Sequence, residues 1–143
     1  MTSPFYQLIT FPSSDTKNGT LTMFQRGNSE GSKVPFDIKK VLVTRGMSGK
    51  DVRGGHTHHK TQQILICISG GCTVNLDNGK ERAQIKLGKP TEGLLLYPYV
   101  WHTMQDFEDN TILLILADTE YDEKEYIRDY DEFMKNVTEK NLW

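Results

Sequence analysis

Cysteine is scarce in this chain of 143 residues: Cys67 and Cys72 are too few for a disulfide framework, and they lack C-x-x-C spacing. They read as reduced thiols in or near a core. No apolar run approaches the ~18 to 20 residues that a bilayer span needs, and Met1-Thr2-Ser3-Pro4 opens without the basic-then-apolar order of a secretory leader. A soluble cytoplasmic protein with no membrane partner is the expectation. Seventeen basic residues stand against nineteen acidic ones for a net charge of -2, and the basic residues form no run. Electrostatic binding of nucleic acid is therefore unsupported. Repeats and low-complexity segments are absent as well. The length suits one domain, residues 1–143, with a real core.

What is present is a series of short apolar or alternating segments that stop at Gly, Pro, Asn or Asp, the pattern of a sheet protein. The strands expected are Tyr6 to Thr10, Thr20 to Gln25, Ile38 to Thr44, Gln62 to Ile68, Cys72 to Leu76, Ala83 to Leu87, Gly93 to Tyr97, Trp101 to Asp106 and Thr111 to Leu116. Asp77-Asn78-Gly79-Lys80 is the clearest hairpin turn, because Asn-Gly accepts positive φ. Ser13 to Asn18 and Arg26 to Lys33 read as solvated loops. So many strands at regular spacing predict an all-β sandwich or barrel. The tail differs: Tyr126, Tyr130, Phe133, Met134 and Val137 recur at helical spacing, which predicts one C-terminal amphipathic helix with that stripe as packing.

The chemistry-bearing residues are concentrated in two places. Arg53-Gly54-Gly55-His56-Thr57-His58-His59-Lys60-Thr61-Gln62-Gln63 holds three of the four histidines, and Tyr97-Pro98-Tyr99-Val100-Trp101-His102 holds the fourth. On a strand His56 and His58 share one face and His59 takes the other. A His-x-His pair, Gln63 and a glycine seven residues on, followed by Gly93, Pro98 and His102, make up the two halves of a cupin motif. In a metal-binding cupin these halves supply three histidines and a glutamate. Here Gln63 stands at the glutamate position; an imidazole triad with a neutral amide can still hold Zn, Fe, Ni or Cu, but the anionic ligand that would offset the ion's charge is missing, and no metal is the expectation.

With strands and motifs in place, the chain resembles the sugar 3,4-ketoisomerases acting on dTDP-4-keto-6-deoxyglucose, which are small cupin-type jelly-roll proteins. Three motifs carry the resemblance: Arg53-Gly54-Gly55-His56-Thr57-His58, Val100-Trp101-His102-Thr103-Met104-Gln105-Asp106-Phe107, and Tyr126-Ile127-Arg128-Asp129-Tyr130-Asp131. It implies a cytoplasmic homodimer that moves a keto group from C4 to C3 of a dTDP-linked deoxy sugar, for unusual deoxysugars such as those of lipopolysaccharide. It implies no cofactor, His56 as the base and His58 as its assistant. General acid–base work by imidazole suits such a proton transfer.

Other matching positions take roles by chemistry. Arg53 suits a nucleotide phosphate, or is an ordinary loop arginine. Lys60, beside the histidines, is expected to bind substrate. Gln63 faces their side and can hydrogen-bond a sugar oxygen. Tyr97 and Trp101 either stack on sugar or base or belong to the core. His102 closes the pocket wall. The chain departs from the family at Asn18, where an arginine is usual, at Leu42 and Val43, where tyrosines are usual, and at Gly55, where an aromatic residue is usual. A different nucleotide sugar or altered C4 stereochemistry follows as an alternative. Three competing functions remain: a noncatalytic sugar-nucleotide-binding cupin, a metal-dependent cupin dioxygenase, and a dTDP-sugar 3,5-epimerase whose histidine base works with a tyrosine acid.

Overall fold

The computed structural model describes residues 2–3, 5–27 and 32–143. Met1, Pro4 and the middle of the expected Arg26–Lys33 loop, residues 28–31, lie outside the described residues. In chain order the strands are β1 Thr2–Ser3, β2 Tyr6–Thr10, β3 Ser13–Thr16, β4 Gly19–Thr22, β5 Lys40–Arg45, β6 Arg53–His58 and β7 Gln63–Ser69. There follow β8 Cys72–Asp77, β9 Arg82–Leu87, β10 Glu92–Leu96, β11 Trp101–Gln105, β12 Ile112–Ala117 and β13 Tyr126–Ile127, before helix α1, Tyr130–Lys140. A six-stranded sheet in the order β1-β2-β10-β7-β12-β5 faces a five-stranded sheet in the order β13-β6-β11-β8-β9. All named strand pairs are antiparallel. This is the cupin-type jelly roll, all-β with a C-terminal helix.

Alternation on each strand sorts residues into layers. Leu65, Cys67, Leu94, Leu96 and Leu113 from one sheet meet Val74, Leu76, Leu87 and Met104 from the other in the interior. Ile64, Ile66, Leu95 and Leu116 point out of the six-stranded sheet and are covered by Phe11, Val34 and Phe36. The outer face of the five-stranded sheet receives α1 through Phe133 and Val137, against Ile127 and Trp101. The expected hairpin at Asn78-Gly79 joins β8 to β9, with Gly79 at φ 96° and so close to Val137 that a β-carbon would sit 2.9 Å from it.

Two expectations are corrected. Ser13 to Asn18 is a loop only at its tip: β3 and β4 form a separate two-stranded hairpin. Nearly all of its residues are exposed, so it has no apolar alternation to betray it. The helix begins at Tyr130, not Tyr126, because the Asp129 side chain accepts from the backbone N–H groups of Asp131 (2.8 Å) and Glu132 (3.3 Å) and caps it there. Tyr126 and Ile127 instead form β13, hydrogen-bonded to β6.

Candidate active site

Three neighbouring strands carry the site. In the β6–β11 pairing His56 lies opposite His102, and in the β6–β13 pairing His58 lies opposite Tyr126. Cross-strand partners on one face touch, and here all four rings meet. The His56 ring is 5.1 Å from that of His58, 4.9 Å from His102 and 5.0 Å from Tyr126, and the His58 ring is 4.8 Å from Tyr126. The register shifts between His102 and Thr103, leaving Gly55 as the extra residue of a bulge in β6. Gly54 and Gly55 both have positive φ, 83° and 75°, and a β-carbon on Gly54 would lie 2.8 Å from the His102 carbonyl oxygen. At position 54 only glycine allows β6 to approach β11 this closely.

The opposite wall comes from the six-stranded sheet. Leu42 pairs with Ile115 across β5–β12, and Ile115 with Leu65 across β12–β7. This apolar row faces the imidazole row across a cavity of about 360 Å³ that Val43, Thr44, Arg53, Gln63, Met104 and Arg128 also line. Arg53 and Arg128 are exposed. Arg128 pairs with Glu123, and its guanidinium lies 4.4 Å from the centre of the Tyr126 ring.

Hydrogen bonding fixes the deepest group. His102 is 2% exposed, its Nδ1 is 3.0 Å from the Val100 carbonyl oxygen, and its Nε2 is 3.1 Å from Gln63 Nε2. A carbonyl can only accept, so Nδ1 carries the proton and donates. The Nε2 lone pair then accepts from the Gln63 amide. Burial pushes the His102 pKa down to about 4, with the Val100 hydrogen bond working the other way, so this ring is neutral at ordinary pH. Burial is also the main cause for His56, lowered to about 3 with help from His102 and Arg128, and for His58, lowered to about 2 with help from His102, His56, Lys40 and Arg128. The Gly54 carbonyl opposes the shift at His56.

A cupin fold raises the question of a metal, and His56, His58 and His102 offer nitrogens within 4.8 Å of one another. The donor set does not fit one. Both nitrogens of His102 are committed, and Gln63 presents an N–H, not an anionic oxygen, to the centre of the cluster. Three neutral imidazoles can by themselves hold zinc, but here the third donor, His102, has its Nε2 lone pair on the Gln63 amide and no carboxylate stands beside it to offset a dication.

The structure thus brings together His56, His58, His102, Gln63 and Arg53 and places three other expected residues elsewhere. His102 points inward, so Trp101 must point outward, where it packs on Tyr130 and Phe133 of α1. There it lines a separate open depression of about 540 Å³ with Asn75, Asp77 and Arg82, which holds no histidine. Leu96 pairs with Gln63, and Tyr97, one residue on, packs outside with Ile9, Pro35 and Leu95. Lys60 follows the end of β6 and sits on the surface with Lys39, Asp118 and Glu125. His59 turns away, with its Nδ1 3.0 Å from the Tyr99 hydroxyl. Of the departures, Asn18 lies between β3 and β4 outside the cavity lining, whereas Leu42 and Val43 form its lip. Sequence reasoning missed Tyr126 and Arg128 by reading the first as helix packing. The signal was the Tyr126-Ile127-Arg128 motif itself, whose alternation puts residues 126 and 128 on one face.

The family model described as FdtA: WxcM-like, C-terminal, matches residues 5–138. A curated relative from Aneurinibacillus thermoaerophilus, TDP-4-oxo-6-deoxy-alpha-D-glucose-3,4-oxoisomerase, is 42% identical over 113 residues, which are 79% of this chain and 81% of the relative. The 3,4-ketoisomerase QdtA from Thermoanaerobacterium thermosaccharolyticum, solved as a histidine-to-asparagine variant in complex with TDP-4-keto-6-deoxyglucose, superposes with a TM-score of 0.89 at 36% identity. The match covers 96% of this chain and 97% of that one. WlaRA, a TDP-fucose-3,4-ketoisomerase from Campylobacter jejuni, matches with a TM-score of 0.82 at 33% identity over 92% and 94% of the two chains. By motif, fold and sequence identity alike, the chain belongs to the FdtA, WxcM-like family of sugar 3,4-ketoisomerases.

Proposed function

We propose that this protein converts a TDP-linked 4-keto-6-deoxyhexose, TDP-4-keto-6-deoxyglucose or a close relative, into its 3-keto isomer. The observation that carries the reading is the pair of neutral imidazoles, His56 and His58, side by side in a cavity whose other wall is apolar. Neutral imidazole is the form that accepts a proton, and burial keeps both rings in that form throughout the neutral range. His56 removes the C3 proton, an enediolate forms, and the proton returns at C4. The depressed basicity of His56 is offset at that moment, since an enediolate beside the imidazolium favours the charged ring. His58 donates an N–H to the developing oxyanion. Gln63 and His102 hold each other and shape the floor. The Leu42, Ile115 and Leu65 row suits the C6 methyl group, and Arg53 and Arg128 at the mouth suit the diphosphate.

On this reading no metal or cofactor takes part, residues 1–143 work as one domain, and the chain functions in the cytoplasm as a homodimer. Two unpaired cysteines suit a reducing compartment. Exposed Val41 and Val43 on edge strand β5 suit burial against a second copy. No helix among the described residues is long and apolar enough to cross a membrane. A 3,5-epimerase is the second reading, favoured by the contact of Tyr126 with both histidines. Incubation with TDP-4-keto-6-deoxyglucose and NMR of the product separates the two. A 3-keto sugar with C5 configuration retained supports the isomerase; inversion at C5, or no turnover, overturns it.

A further inference from the structure

Moving a carbonyl from C4 to C3 takes more than one proton transfer. C3 loses a proton and C4 gains one, while O4 must gain a proton and O3 must lose one. His56 accounts for the carbon protons, and a second group must serve the oxygens. Among the residues lining the cavity the groups acidic or basic enough to exchange a proton near neutral pH are the three histidines and Tyr126, since the arginines are held as cations and the Thr44 hydroxyl is far too weak an acid. His102 is excluded because Val100 and Gln63 occupy both of its nitrogens. His58 stays neutral beside two other imidazoles, and a neutral imidazole is a far weaker acid than a phenol.

Tyr126 meets the requirement on geometry. Its ring makes a wall of the cavity and touches both His56 and His58. Burial raises its pKa, and no hydrogen bond to a protein group contributes to that shift, so the phenol keeps its proton and has it to give. Arg128 lies over the ring at 4.4 Å, where a full positive charge steadies a transient phenolate. We propose that Tyr126 is the acid–base residue that carries the proton between O4 and O3, an inference that rests on the isomerase reading above.

The steps balance without any outside reactant. As His56 takes the C3 proton, the C–H electron pair becomes the C3–C4 double bond, the carbonyl π pair moves to O4, and O4 takes the phenolic proton of Tyr126. The enediolate, protonated at O4 in this way, becomes an enediol flanked by an imidazolium and a phenolate. The phenolate then takes the O3 proton, the O–H pair forms the C3 carbonyl, and the double-bond pair takes the proton from His56 at C4. Both side chains return to their starting forms.

The test is Tyr126→Phe, which keeps the ring and its contacts. The variant should bind TDP within about threefold of wild type and melt at the same temperature, while kcat falls by about 10²- to 10⁴-fold with KM nearly unchanged. Wild-type kcat should fall at alkaline pH as the phenol ionises. Replacing Tyr126 by a ring-fluorinated tyrosine, whose phenol is more acidic, should move that fall toward neutral pH without changing the fold. Turnover by Tyr126→Phe within threefold of wild type, or an alkaline limb that fluorination leaves in place, overturns the proposal while leaving the isomerase reading intact. If wild type itself gives no 3-keto product, the isomerase reading fails and this inference with it.

Discussion

Glu125 holds the active-site strand pair together from behind, and its removal has a calculable cost. The side chain is only 6% exposed, and one carboxylate oxygen accepts from the backbone N–H of Lys60 (3.0 Å), that of Thr61 (2.9 Å) and the Thr61 hydroxyl. Its own carbonyl accepts from the His59 N–H at 3.1 Å. These bonds tie the chain leaving β6 after His58 to the start of β13, and so hold Tyr126 against the histidines. Glu125→Ala deletes three charge-assisted bonds, each worth about 1.5–3 kcal/mol, and orphans the buried Thr61 N–H at a cost of about 1–3 kcal/mol. The bonds share one carboxylate and water can reach exposed Lys60, so the sum is not additive, and a net loss of about 3–4 kcal/mol is expected. At roughly 3–4 °C per kcal/mol for a chain of this size, the melting midpoint should drop by about 10–15 °C. Glu125→Gln, which keeps an acceptor oxygen but not its charge, should lose about half as much. Circular dichroism melts of the three proteins give the answer. A Glu125→Ala midpoint within about 3 °C of wild type would refute the clamp.

Two further predictions concern the imidazole cluster. His56, His58 and His102 all have folded pKa values below 6.5, so the unfolded chain binds more protons below that pH; stability is full above about pH 6.5 and falls as pH drops toward 4. The slope should reach about 1.4 kcal/mol per pH unit for each histidine still neutral in the fold, and urea unfolding that is flat between pH 6.5 and 4.5 would contradict it. Gln63→Glu supplies the missing carboxylate beside three imidazoles, so after dialysis against zinc the variant should retain about one equivalent where wild type retains almost none. Stoichiometric, chelator-resistant zinc in wild type would contradict the hydrogen-bonded assignment of His102.

The two sheets were legible because their strands alternate or run apolar and end at Gly, Asn or Asp. β2 matches residue for residue, and the other expected strands overlap the observed ones. That His56 and His58 share one face, with His59 on the other, followed from spacing alone. What could not be read was pairing: nothing in a single chain states that residue 126 lies opposite residue 58, or 102 opposite 56, and those two registers build the site. Tyr126 was mistaken for helix packing because it happens to fall four residues before Tyr130, a spacing that serves a strand–cap–helix run as well as a helix. Trp101 was open to better reading. Beside an inward His102 on the same strand it had to face out, and its large apolar surface masked that consequence.

The most direct test of the central claim is exchange at C3, measured by proton NMR of TDP-4-keto-6-deoxyglucose in deuterated water with wild type and with His56→Asn. Wild type should wash out the C3 proton while the 3-keto sugar appears. The variant should bind TDP within severalfold of wild type, because the substitution leaves Arg53 and Arg128 in place, and should exchange C3 at least about 10²-fold more slowly. Wild-type-like deuterium incorporation at C3 in the His56→Asn protein would contradict the account.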